Sequence, residues 1–182
     1  FVFNLKSEYP AREQVMQYGE DDLTFISRLL SEVGIWFRFA TDARLKIEVI
    51  EFFDDQSGYE RGLTLPLRHP SGLHDSATEA VWGLNTAYSV VEKSVTTRDY
   101  NYREATAEMT TGQHDATGGD KTTYGEAYHY ADNFLQKGDK EVAESGAFYA
   151  RIRHERYLNE QAILKGQSTS SLLMPGLEIR VQ

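Results

Sequence analysis

Five histidines, at positions 69, 74, 114, 129 and 154, and two adjacent carboxylate pairs, Asp21/Asp22 and Asp54/Asp55, are the residues of this 182-residue chain best equipped for chemistry. Histidine and carboxylate can together hold a metal or move a proton, but spacing decides whether they can meet. No two histidines stand four apart on a helical face and no His-Glu-x-x-His occurs, so a zinc site of that kind has no ligands here. His69 and His74 flank Gly72 beside Asp75. That grouping reads as a weak metal site or an ordinary polar loop, and the loop is the expectation. His154 falls in line with Ala143, Ala147, Ala150 and Tyr157 at helical spacing, which predicts a satisfied core or interface histidine.

A glycosidase-type acid/base pair needs two carboxyls converging at roughly 5–9.5 Å. Asp21 and Asp22 have a structural reading instead, as the cap and first turn of a helix. Asp54-Asp55-Gln56-Ser57-Gly58 reads as a turn, because a calcium loop requires alternating oxygen ligands and a distal glutamate. No nucleophile elbow, P-loop or dinucleotide fingerprint is present, and Gly118-Gly119 is too isolated to cradle a phosphate. Arg151, Arg153 and Arg156 are balanced by Glu141, Glu144, Glu155 and Glu160, the pattern of a solvated helix face. The reading therefore assigns no catalytic, cofactor-binding or metal residue. Tyr88, Tyr100, Tyr102, Tyr124, Tyr128 and Tyr130 fit a carbohydrate surface, plain strand positions or the anchors of a protein interface, and the interface is preferred.

Composition narrows the classes. The net charge of −9 leaves no broad cationic face to neutralise phosphates, which argues against nucleic acid as a partner. Without cysteine there is no disulfide framework, thiolate metal site or cysteine nucleophile. No apolar run approaches the ~18 residues of a membrane span, and no signal peptide is visible. The strand-like opening Phe1-Val2-Phe3-Asn4-Leu5 suggests a piece of a longer polypeptide.

The elements that would position these residues start with a helix capped by Asp21. Its expected buried side is Leu23, Ile26, Leu30 and Val33, widened by Phe25 and Leu29, and Gly34 provides the left-handed stop. The segment before it, 12–18, is expected to be extended. Residues 35–39 and 45–52 read as a hairpin around Thr41-Asp42-Ala43-Arg44. Residues 54–75 are irregular. Strands are expected over 79–84, 88–98 and 100–109, followed by a mobile or disordered Gly/Thr-rich loop over 110–123. A second helix over 140–157 precedes closing strands at 161–166 and 177–181, parted by Pro175-Gly176.

Arg12-Glu13, Gln17-Tyr18, the acidic link Glu20-Asp21-Asp22, Phe25-Ile26-Ser27-Arg28-Leu29 and Glu32-Val33-Gly34-Ile35-Trp36-Phe37 together resemble the VgrG family of type VI secretion tip proteins and its phage tail hub relatives. Further matches follow in order at Val95-Thr96-Thr97-Arg98-Asp99-Tyr100-Asn101-Tyr102, Ala150-Arg151-Ile152-Arg153 and Met174-Pro175-Gly176. Two departures concern turns: no proline follows Tyr102 closely, and Tyr128-His129-Tyr130 stands where the family has Tyr-Pro-Gly. The resemblance implies an α+β fold, mostly antiparallel β, with a β-barrel of the hub/tube type, an α/β insertion and two main helices. Residues 1–18 would be the end of a first barrel and a linker, 19–75 the helix-plus-hairpin insertion, and 76–182 a barrel with the packed helix 140–157. It also implies a non-catalytic hub that trimerises in the full-length protein, docks on a hexameric tube protein, carries spike and effectors, and has baseplate and effector proteins as partners. Such a hub would assemble in the cytoplasm and then be secreted or delivered into a target cell. A bacteriophage baseplate hub is the alternative, and a cell-wall or glycan hydrolase the reading from a different class.

Overall fold

A computed structural model describes residues 1–12, 14–69, 78–103, 105–111, 113–130 and 145–182. The expected His74/Asp75 grouping and the start of the second helix at 140–144, including Ala143, lie outside the described residues. The chain divides into two compact units, each assembled from segments distant in sequence.

The first unit comprises residues 1–6, 36–87 and 163–182. Its strands are β1 (Val2–Asn4), β2 (Trp36–Asp42), β3 (Ile47–Phe53), β4 (Glu60–Leu65), β5 (Val81–Tyr88), β9 (Ala162–Ser168) and β10 (Leu177–Val181), arranged as sheets β1-β3-β2, β10-β4 and β5-β9. The β2–β3 hairpin forms as expected. Asp42 closes its turn by accepting from the Arg44 and Leu45 amides, each at 2.9 Å, and Lys46 takes the left-handed conformation. On one face of the sheet Trp36 stacks on Phe53 at 4.5 Å and meets Tyr59 edge-on at 5.2 Å. The turn at Gly176 closes over that same indole.

The second unit comprises residues 7–35 and 88–162. It holds α1 (Asp22–Glu32), α2 (Gly146–Glu160) and the sheet β7-β6-β8, formed by β6 (Ser94–Asp99), β7 (Met109–Thr110) and β8 (Glu126–Tyr130). Asp21 caps α1 by accepting from Thr24 N, and Gly34 at φ +73 ends it while the Ile35 amide reaches back to the Leu30 carbonyl. Ser145 caps α2 through the Phe148 amide. The core gathers Val33, Phe148 and Ile152 in one cluster and Met109 with Tyr149 in another, with Val95, Thr97, Ala150 and His154 fully buried.

Several expectations are corrected. The fold is α+β and mostly β with two main helices, but among the described residues the strands form four separate small sheets and no barrel closes. Pairing is mixed: β1–β3, β10–β4 and β6–β8 run parallel, β2–β3 and β6–β7 run antiparallel, and the β5–β9 contacts, from Ala80 with Thr169 to Ser89 with Gln161, run in opposite chain directions. Alternation of side chains has the same period in either direction, so it cannot report which strand becomes the neighbour. Among the described residues of 100–109 only Met109 is strand, and of 88–98 Tyr88 ends β5 and the next strand begins at Ser94. The Gly/Thr-rich loop is tied rather than loose in its described residues. Asp115 accepts from Thr117 N and Asp120 from Thr122 N, and the Gln161 amide bridges Asp120 and Thr122 at 2.6 and 2.7 Å. Finally, no residue of α1 is buried, and Leu23 and Ile26 of its expected inner side are exposed.

Candidate functional site

The segment that carries the family-like residues is a polar clasp. Arg12 donates to Glu32 at 2.7 Å and to the Tyr149 hydroxyl at 3.2 Å. Arg28 grips Glu20 at 2.7 Å, Glu32 at 3.1 Å and the Met16 carbonyl at 3.2 Å. Gln17 donates to the Glu20 carbonyl and to Asp22. The hydrogen bond to Glu20 is the main reason that the Arg28 pKa is raised. Arg12, Gln17, Glu20, Asp22, Arg28 and Glu32 thus bind a non-helical lead-in to α1, and Arg12 ties both to α2. Geometry of this kind positions a scaffold, since every charge faces a partner.

His154, His129, Asp21, Asp54 and Asp55 are occupied in the same way. His154 is fully buried; its Nδ1 accepts from the Ala116 amide at 3.0 Å, so Nε2 carries the hydrogen donated to the Glu92 carbonyl at 3.1 Å. With both ring nitrogens used it is a core histidine, as its place on the helix face predicts. His129 pairs with the Tyr157 hydroxyl at 3.0 Å; burial, then the charge of Glu92, pushes the Tyr157 hydroxyl pKa up. Asp21 is held below the ordinary carboxylate range first by the Thr24 amide, and Asp55 first by Lys6 at 2.6 Å. Asp54 accepts the Lys6 amide, and Arg151 pairs with Glu155. Among the described residues no group of three or more His, Asp or Glu could hold a metal ion.

What remains outward is aromatic. All six tyrosines singled out from the sequence are exposed. Tyr128 and Tyr130 lie side by side on the face of β7-β6-β8 that carries Thr96 and Arg98; the opposite face packs on α2, where Thr97 Oγ1 donates to the Gly146 carbonyl. In the first unit Phe1, Phe3, Phe37, Phe39 and Phe52 form a chain of ring contacts on the face of β1-β3-β2 opposite Trp36. Phe1, Phe3 and Phe39 are each at least 66% exposed, more contiguous apolar surface than scattered exposed residues present. Sequence reading missed this face, although the period-two phenylalanines at 1, 3, 37 and 39 carried the signal.

Comparison with known proteins agrees with the resemblance. The profile of the phage tail baseplate hub (GPD) family matches residues 1–182. The type VI secretion system spike protein VgrG4b of Pseudomonas aeruginosa PAO1 is 30% identical over 181 residues, 97% of this chain and 21% of that protein. VgrG5 of the same strain is 28% identical over 169 residues, 92% of this chain and 20% of that protein. The chain therefore spans about a fifth of the length of these relatives. A solved structure of the E. coli c3393 protein, reported as a component of the type VI secretion system with structural similarity to the T4 bacteriophage tail proteins gp27 and gp5, is 62% identical. It superposes with a TM-score of 0.57, covering 100% of this chain and 33% of that chain.

Proposed function

Given that the chain belongs to the phage tail baseplate hub (GPD) family, we propose that it is part of a non-catalytic structural hub at the tip of a contractile injection machine of the type VI secretion kind. The observation that carries this reading is the match along the whole chain to the hub family, joined by likeness to spike proteins of that secretion system. In the full-length protein the hub trimerises, docks on a hexameric tube protein and carries spike and effectors; closed symmetry suits a part that caps a ring-shaped tube. Exposed aromatic faces in both units supply surface for such contacts. The polar clasp and the satisfied His154 support a rigid scaffold. Assembly takes place in the cytoplasm, and the assembled tip is then delivered outward. Asp21 serves as a helix cap and the Asp54/Asp55 pair is engaged by Lys6, which leaves neither as a support for hydrolase chemistry.

Native mass measurement on a protein extended through the spike tests the reading. A trimer is expected, and a stable monomer at micromolar concentration counts decisively against it. A phage tail hub is the second reading, favoured by the family's own description and by the gp27/gp5 likeness of the solved relative. The two differ in the machine served and share the trimer.

A further inference from the structure

The outer face of β7-β6-β8 has a chemical polarity that the hub reading does not use. Parallel pairing sets Thr96 beside Tyr128 and Arg98 beside Tyr130, with Glu126 beside Ser94 at the far end. Glu126 is engaged by the Thr96 hydroxyl. Arg98 is exposed, and no carboxylate among the described residues pairs with it, although the chain carries a net charge of −9. What sets Arg98 apart is its place: its exposed guanidinium stands on one sheet face with two exposed phenols. Arg with Tyr is the pairing enriched where a few residues carry most of the energy of a protein contact. The phenylalanine face of the first unit is larger, but its charge, Glu48, stands beside Thr41 beyond the Phe39–Ile50 pair, so none lies between the rings to specify what covers them.

We infer that Arg98, Tyr128 and Tyr130 form a docking surface for a partner protein that lays a carboxylate-bearing segment across this sheet. The carboxylate pairs with Arg98, and apolar or aromatic side chains lie on Tyr128 and Tyr130. Glu126 sets the direction: it sits about 13 Å along the strand from Tyr130, at roughly 3.3 Å per residue, and repels a second carboxylate at that end. The partner segment is therefore acidic at one end only. This inference rests on the hub reading, in which the chain is a platform for other proteins.

The test places a photo-crosslinking residue at one of these positions (Tyr128→p-benzoylphenylalanine) in the full-length protein within its assembled machine. The expected product is a link to a different protein, at a segment containing Asp or Glu. Arg98→Glu lowers its yield by about tenfold or more, as expected for a central charged contact, and replacing the partner's carboxylate by Lys restores it. Both substituted side chains are exposed, so native mass and circular dichroism should match the parent. A link within the same chain or to a second copy, a linked segment without a carboxylate, or a yield indifferent to Arg98→Glu overturns the inference. So does saturable binding of cell-wall oligosaccharide at Tyr128 in place of a protein. If the trimer persists while the link fails, the docking surface alone is wrong; if the trimer itself is absent, the hub reading falls.

Discussion

Replacing Gly176 with alanine should be among the most destabilising single changes in the first unit. Gly176 sits at φ +75, and a Cβ there would come within 2.3 Å of Trp36 Cη2 and 2.4 Å of Cζ3. The indole cannot step aside, because it is stacked on the buried ring of Phe53 and fitted against Tyr59. Two costs add: left-handed backbone costs alanine about 1–2 kcal/mol, and forcing a methyl into an occupied place costs about 1–3 kcal/mol. The expected loss is therefore about 2–5 kcal/mol. Urea unfolding followed by tryptophan fluorescence would measure it, with Trp82 as reporter when Trp36 is altered. Gly119→Ala is the reference: φ is +90 there but nothing lies within 4 Å, so only the backbone cost of about 1–2 kcal/mol is expected. In a Trp36→Leu background, Gly176→Ala should fall to a similar cost. If the penalty is the same with and without the indole, overlap with Trp36 is not its cause and the reasoning fails.

Two further outcomes follow from groups already placed. His154→Leu leaves the Ala116 amide and the Glu92 carbonyl without partners, so unfolding free energy should drop by about 2–5 kcal/mol; a drop below about 1 kcal/mol would show that water replaces the ring. Asp21, Asp55, Asp115 and Asp120 all have pKa values lowered from 3.8 by hydrogen bonds, first from Thr24, Lys6, Thr117 and Thr122 respectively. A carboxyl more acidic in the folded than in the unfolded chain stabilises fully above the unfolded pKa, and that contribution is lost as pH falls through the folded value. Urea midpoints should therefore hold near neutrality and decline below about pH 4, and changing the four to asparagine should flatten the decline. An unchanged slope would mean that these bonds are not kept in solution.

Much of the local structure is legible in the sequence because its causes are local. Asp21 as cap, Gly34 as stop and Asp42 at the hairpin turn each act within a few residues, and each is found where expected. The clasp was visible as a set of family-like residues but only in part as a set of contacts: helical spacing brings Arg28 to Glu32, but nothing in the order says that Arg12 also meets Glu32 or that Glu20 meets Arg28. The α2 face shows the same limit. Ala150 and His154 are buried as expected and Ala147 only in part, whereas Phe148, Tyr149 and Ile152 are also buried because the helix is covered over a broad arc. The reverse holds for α1, whose apolar residues follow helical spacing yet remain exposed at Leu23 and Ile26. Amphipathic spacing states that a face can be buried, and only the neighbours state whether it is.

The sequence by itself determined the Asp21-capped helix, the β2–β3 hairpin, the absence of thiol chemistry and the ordered family-like residues, because these depend on backbone preference, short-range hydrogen bonding and composition. Tertiary structure decided the parallel pairing of β4 with β10 and of β6 with β8, the unclosed sheets, and the use of both nitrogens of His154. It also decided which tyrosines share a face with Arg98. Those outcomes depend on which distant segments meet, and side-chain period carries no record of a strand's partner.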